Sequence, residues 1–459
     1  MRAINDRRGP PRPLVARLAV VTVGAVLAGA LVATGAGGAP SAATPTLTTS
    51  SAPLPASLKC PPGVATGSPG VSATQIDVGA ISTLSGPISA GFASFVDGVQ
   101  AYLDTVNAKG GVDGRKIDLA YNLNDTGTET RFVTLSHAVI DQDHAFAVFA
   151  SSYWFNPTYF TTTCTPTYGF NVTGDWTREP DLFAANGSVD TYKTAVPPIA
   201  YLLRRIKARS VAVLAYNVST SSAACQATIT SLEAAGYDIS YSDLELTPIN
   251  PSVIPDVQRI RADGSDFILS CMTIDGNIAL TRALKEYAVH VKQLWFTTPN
   301  QTVLDKNSAL MQGVYFNSFE VPRLAAKEFP GAYPGLEAFL AGMEKYEPAY
   351  VGDGLAMDGW ESATLLVAGI KAAGHHLTQA GLVAATNRLT RFTAGGIIPP
   401  ENWTDTHTTS LPPYCSAFTE VRGSQFVPAF TRGKEVYVCF NKTVRHPTLV
   451  PGLPGMPGT

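Results

Sequence analysis

At 459 residues, with 33 basic against 36 acidic side chains and a net charge of −3, the chain is too long for a single compact core and carries no basic excess for nucleic acid. Only 15% of residues are charged and 45% are hydrophobic, the balance of a folded rather than a disordered chain. Two lobes or domains are expected.

The first residues have the layout of an export signal: arginines at 2, 7, 8, 12 and 17, an apolar run over 18–34, then small residues to Ala43. An uncleaved anchor over 1–43 is the alternative, but the run is short for a bilayer and rich in Gly and Ala, so cleavage near Ala43 is favoured. Residues 44–70 are rich in Ser, Thr and Pro and read as a flexible tether.

From Ile76 a repeating pattern begins. Ile76, Val78 and Ala80 alternate with polar or small residues, the period of a strand. Ser85-Gly86-Pro87 make a turn. Phe92, Phe95, Val96, Val99, Tyr102, Leu103 and Val106 then recur at helical spacing. Gly110-Gly111 stop that helix, because glycine takes the left-handed conformation a helix end wants. Ile117, Leu119 and Tyr121 open a second strand, completing a strand–helix–strand unit. Further strands are expected over 145–150, 168–172, 211–216, 237–246, 267–270 and 294–297, with helices near 130–141, 223–235, 252–262 and 276–289. Such alternation implies parallel sheets covered on both faces, in two series near 72–186 and 187–316.

The stretch STLSGPISAG, followed by YLDTVNAKGGVDGRKIDL, resembles the opening of the type I periplasmic binding proteins. More narrowly, it is similar to the branched-chain amino-acid (Leu/Ile/Val) binding proteins that serve ABC importers, over about residues 71–440. The resemblance implies an α/β fold of two doubly wound parallel-sheet lobes joined by a multi-crossover hinge. Lobe one would span 71–186 and 317–393, lobe two 187–316 and 394–440, with a disordered tail over 441–459. Helices are expected over 334–346, 358–373 and 379–390, and closing strands around 417–422, 425–430 and 435–440.

Parallel sheets bind ligands beyond the carboxyl ends of their strands, where helix N-termini converge. In the first series those positions are Ser85, then Ser151, Ser152, Tyr153 and Trp154, then Asp175 and Trp176; in the second they are Tyr216, Asp275 and Asn300. The resembled amino-acid binders hold the ligand carboxylate with post-strand hydroxyls, the placement of Ser151 and Ser152, although a helix cap is an equal use for serine there. Tyr216 matches the family's aromatic wall; core packing is the ordinary use of such a tyrosine. Asp175 and Asp275 suit an ammonium group or a helix cap. The family's ammonium-binding glutamate is replaced by Asn300, which favours a ligand without an ammonium group.

The six cysteines (60, 164, 225, 271, 415, 439) suit an oxidising compartment, and the protein is expected to be extracytoplasmic. None forms a C-x-x-C pair and the histidines lie elsewhere, so no metal and no cofactor is expected. Cys415 and Cys439, on strands of the terminal antiparallel segment, are expected to pair. Cys225 with Cys271 would join loops after two strands, though both could stay buried thiols; Cys60 with Cys164 follows by elimination. No G-x-S-x-G, P-loop, G-x-G-x-x-G or H-E-x-x-H motif supports an enzyme. The expected function is capture of a small amino-acid-like or carboxylate ligand by hinge closure, with delivery to an ABC permease. The alternatives are a ligand sensor feeding a separate receptor and, more remotely, a secreted enzyme on the same frame.

Overall fold

The computed structural model describes residues 48–64, 67–86, 89–170, 176, 179–185, 197–248, 252–407, 415–440 and 449–450. The expected export signal lies outside them. Strands β1 (Gln75–Ser82), β2 (Lys116–Asn124), β3 (Val148–Ser151), β4 (Thr167–Gly169) and β5 (Leu182–Ala184) form one sheet in the order β2-β1-β3-β4-β5. Every pairing in it is parallel. Parallel neighbours need long crossovers, and α1 (Ser94–Asn107), α2 (Glu129–His137) and α3 (Thr158–Thr163) lie in them. The sequence periodicity read for α1 is the face it buries: Phe95, Val99 and Leu103 are fully buried.

The second sheet is mixed. β6 (Ser210–Tyr216), β7 (Asp238–Leu246), β8 (Phe267–Cys271), β9 (Lys292–Trp295) and β10 (Tyr315–Ser318) run parallel in the order β7-β6-β8-β9-β10. β11 (Cys415–Arg422), β13 (Tyr437–Phe440) and β14 (Leu449–Val450) extend it antiparallel, and β12 (Gln425–Pro428) pairs with β11. Helices α4 (Pro197–Ile206), α5 (Ser219–Ala234), α6 (Ile254–Asp263), α7 (Ile274–Glu286) and α8 (Gln301–Met311) lead into or connect the parallel strands.

After β10 the chain returns toward the first sheet through α9 (Leu324–Glu328), α10 (Pro334–Tyr346), α11 (Gly354–Ala373) and α12 (Gln379–Thr386); α13 (Trp403–Thr406) precedes β11. Trp360, Leu366 and Leu382 share one core with Ile76, Phe95 and Phe149, whereas Val213, Leu269 and Phe418 centre a second core with Leu202. α1 and α11 approach backbone to backbone. A Cβ at Gly98 would lie 1.7 Å from the Ala356 carbonyl oxygen, and one at Gly359 would lie 1.9 Å from that of Phe95, so this crossing requires glycine on both helices.

Several boundaries differ from the sequence reading. Residues 48–64 are not a free tether. Leu54 and Leu58 are buried, Ser50 N–H donates to Arg388 O at 2.8 Å, and Cys60 is bonded to Cys164. Two leucines and a cysteine in a Ser/Thr/Pro-rich run suffice to dock it. The strand expected over 168–172 ends at Gly169. β10 keeps the chain in the second sheet through Ser318, and Leu449–Val450 pair with β13 inside the stretch expected to lack structure.

The disulfides are Cys60–Cys164, Cys225–Cys271 and Cys415–Cys439. Cys415 and Cys439 face each other in the β11–β13 register. Cys225 sits on α5 and Cys271 ends β8, not in the loops after two strands, so this bond pins a helix to the sheet beneath it.

Candidate ligand-binding site

The carboxyl ends of β1, β2 and β3 converge on Asp125, which is fully buried. Its carboxylate accepts from Thr83 Oγ1 at 3.1 Å, from Gly127 N–H at 2.8 Å and from Ser152 Oγ. Ser152 Oγ in turn accepts from Trp154 N–H at 3.0 Å, and Ser151 Oγ donates to Phe92 O at 3.3 Å. Both serine hydroxyls are therefore engaged inside the protein, where they shape the loop after β3.

What this loop presents outward is aromatic. Trp154 is 37% exposed, and Tyr153 meets it edge-on at 5.4 Å. Tyr153 also meets Phe92 edge-on at 6.1 Å, and Phe92 meets Phe170 at 6.5 Å. Ser85, exposed just after β1, accepts from Asn124 Nδ2 at 2.8 Å. Phe92, read from sequence as a face residue of α1, precedes that helix, and neither it nor Phe170 is among the expected site residues. Phe170 directly follows the true end of β4, and the overlong strand expected there concealed it. Trp176 belongs elsewhere: it is buried and stacks on Phe155 at 4.3 Å within a core that includes Phe132 and Phe160. Asp175 lies outside the described residues.

In the second sheet Tyr216 is buried, and its hydroxyl bonds Thr273 Oγ1 at 2.9 Å. Thr273 caps α7, and a Cβ at Gly276 would fall 2.0 Å from the tyrosine oxygen. Tyr216 therefore packs under the first turn of α7 as core, and burial pushes its phenol up despite the bond to Thr273. Asp275 is exposed in that same first turn, where the helix dipole favours an acid.

Asn300 has a different setting. Its side chain caps α8 by accepting from Val303 N–H at 3.0 Å, and its Nδ2 donates to Asp353 Oδ2 at 2.9 Å. Asp353 caps α11, accepting from Leu355 N–H at 2.9 Å. Backbone bonds flank the pair, from Gln301 N–H to Gly352 O at 3.0 Å and from Gly354 N–H to Pro299 O at 2.9 Å. Arg323 braces them, donating to Gln301 Oε1 at 3.0 Å and to Val351 O at 2.8 Å. Burial raises the Asp353 carboxyl, opposed by the donors at its helix start and by the Arg323 charge. Nearby Asp97 on α1 is pushed up to about 7, by burial first and then by Glu347 and Asp353. The amide read at Asn300 thus meets a carboxylate from the other half of the molecule. The Asp353-Gly354 helix start was the only sequence signal for it.

The predicted residues fall into three groups: Ser85 with the loop after β3, Tyr216 with the start of α7, and Asn300 with the start of α11. A cavity of about 520 Å³ lined by Arg282, Lys285, Lys306 and Leu310 lies toward the opposite ends of α7 and α8 and takes no part in them.

Residues 75–425 match the family model described as periplasmic binding protein, and the chain belongs to that family. Its fold is that of the type I members. A branched-chain amino-acid ABC transporter protein from Thermus thermophilus, solved with bound valine, superposes with a TM-score of 0.67 at 14% identity, covering 79% of this chain and 98% of that one. A fatty acid ABC transporter substrate-binding protein from Thermomonospora curvata gives a TM-score of 0.67 at 17% identity, covering 82% and 97%. A branched-chain amino-acid transporter protein from Rhodospirillum rubrum gives 0.55 at 19% identity, covering 77% and 99%. No curated protein matches.

Proposed function

We propose that this protein is the extracytoplasmic solute-binding component of an ABC importer, closing on a small carboxylate or neutral compound with an apolar body. The observation that carries the reading is the aromatic cluster at the strand ends of the first sheet, in which Trp154 is exposed, Tyr153 and Phe170 are half-buried and Phe92 is buried against them. Apolar walls with few polar anchors are the usual make-up of small-molecule sites. The second half supplies Asn300 and, at the start of α7, Asp275. Ser151 and Ser152 set the loop, Trp176 packs in the core of that same half, and Tyr216 packs under α7 in the other. Disulfides suit an extracytoplasmic location, and a membrane permease is the partner the family membership supports.

An ammonium group is poorly served here. Asp353, the carboxylate beside Asn300, already receives the Asn300 amide and Leu355 N–H and feels the Arg323 charge. A further cation would have to displace one of these partners. Leucine, isoleucine and valine should therefore bind weakly, and their deaminated 2-keto or simple carboxylate analogues more tightly. Calorimetric titration of both series tests this. Tighter binding of the amino acids, lost in Asp275→Asn, would place the ammonium at Asp275 and overturn the assignment of ligand class.

A further inference from the structure

Three carboxylates meet where the chain leaves the second sheet. Glu320 follows β10 by two residues, and the next residue, Val321, donates its N–H to Ile397 O at 2.7 Å. Asp358 and Glu361 lie three apart on α11 and so share a face of it. One oxygen from each of the three lies within 4.8 Å of the others. None of the three residues is more than 7% exposed, and Glu361 is at 0%.

Buried carboxylates are ordinarily answered by hydrogen-bond donors or by a positive charge. Ser318 Oγ donates to Glu320. Among the described residues, however, no donor reaches either oxygen of Glu361 or the Oδ2 of Asp358. The charged neighbours that act on Asp358 are Glu320, Glu361 and Asp353, and on Glu361 it is Glu320, so every one is an acid. Tyr437, close enough to feel Glu361 and Glu320, gives its proton to Ile397 O. Burial and these like charges raise both carboxyls strongly. Asp358 and Glu320 share a hydrogen bond, and among the described residues no positive charge acts on Asp358 or Glu361.

We propose that Glu320, Asp358 and Glu361 bind a Ca²⁺ ion that fastens the crossing after β10 to α11. The donor set is all oxygen and anionic, which suits a hard divalent cation rather than zinc or copper. Ca²⁺ takes oxygens at about 2.3–2.6 Å, so two on opposite sides of it stand about 4.8 Å apart. The three carboxylate oxygens lie within that span of one another. Mg²⁺ is smaller and usually keeps several waters, which a site with Glu361 fully buried does not readily admit. Glu320 belongs to the chain leaving the second sheet and the other two to the helix packed on the first. The ion therefore favours one mutual placement of these elements, and by linkage it and a captured solute influence each other's affinity.

The full-length protein, stripped with chelator at neutral pH, is titrated with Ca²⁺ by calorimetry and melted with and without the ion. The expected result is a single ion per chain, a melting temperature several degrees higher in Ca²⁺, and loss of both effects in Glu361→Gln and Asp358→Asn. Because a variant of this core could fold poorly, the unsubstituted protein is also titrated with Tb³⁺. Emission excited through Tyr437 should appear and be competed away by Ca²⁺. Wild-type protein that takes up neither ion and melts identically with Ca²⁺ and with chelator overturns the proposal. So does binding that persists in both variants. A melting temperature indifferent to Ca²⁺ that falls as pH rises through neutrality would overturn it as well, by assigning the neutralising charges to protons.

Discussion

The loops after β3 and after β9 both leave the carboxyl end of a parallel strand, and they are held in opposite ways. The first is satisfied at home: Asp125 gathers donors from the ends of β1, β2 and β3, all in one sheet. The second is satisfied abroad: Asn300 reaches Asp353 at the start of α11, a helix whose core belongs to the other sheet. The contrast assigns them different work. A loop closed on its own lobe is a fixed wall, whereas a loop bonded to an element of the other lobe reports how the lobes are placed.

Breaking the covalent support of the fixed wall should have the largest effect. Cys60–Cys164 closes a loop of 104 residues and pins the N-terminal arm beside α3. On the chain-entropy estimate a loop of that length contributes about 4.7 kcal/mol. The double variant Cys60→Ser/Cys164→Ser should lose most of that in denaturant unfolding; a loss under about 1 kcal/mol would mean the arm is held by packing alone. Asp125→Ala comes next. It leaves two hydroxyls and one N–H without their acceptor, at about 1–3 kcal/mol for each buried group left unpaired, less whatever the hydroxyls recover by rotating. A destabilisation of about 3 kcal/mol is expected, with amide exchange rising together in the loops after β1, β2 and β3. Exchange confined to one loop would dissolve the idea of a shared hub.

Asn300→Ala should be milder in stability, about 1 kcal/mol for the lost cap. Its distinctive consequence should be a larger radius of gyration in solution scattering, because the bond to Asp353 is gone. An unchanged radius would make Asn300 a cap and nothing more. The smallest effect concerns Asp97. Its folded-state pKa is raised to about 7 from the ordinary 3.8, chiefly by burial. The neutral form is thus favoured in the folded protein, so its contribution is fully present below about pH 4 and is lost as pH rises through about 7. Asp97→Asn should flatten the melting temperature across that window, and an unaltered pH profile would show that other groups set it.

The frame was legible because its signals are local and periodic. The alternation Ile76, Val78, Ala80 and the apolar face of α1 describe a strand and a helix wherever they occur. Cys415 and Cys439 could be paired because both lay on strands of one antiparallel segment. The site was less legible because side-chain direction at a strand end depends on the path of the loop beyond it. Trp154 and Trp176 both follow first-sheet strands in the sequence, yet one is 37% exposed and the other stacks on Phe155 at 4.3 Å. Tyr216 looked like a wall until the bare backbone of Gly276 gave its hydroxyl a place under α7. Asp125 reads as a turn residue in Asn124-Asp125-Thr126-Gly127, and only the meeting of three strand ends makes it a hub. β10 is four residues with an Asn and a Ser, too short and too polar for its pattern to register.

The bound solute itself is the most direct test of the proposed ligand class. Native mass spectrometry of the full-length protein, purified without added solute and followed by identification of the released small molecule, reads this without assuming a ligand. The expected companion is one acidic or neutral compound with an apolar body and no amino group, released intact. A free branched-chain amino acid in its place, or a compound released chemically changed, would contradict the account.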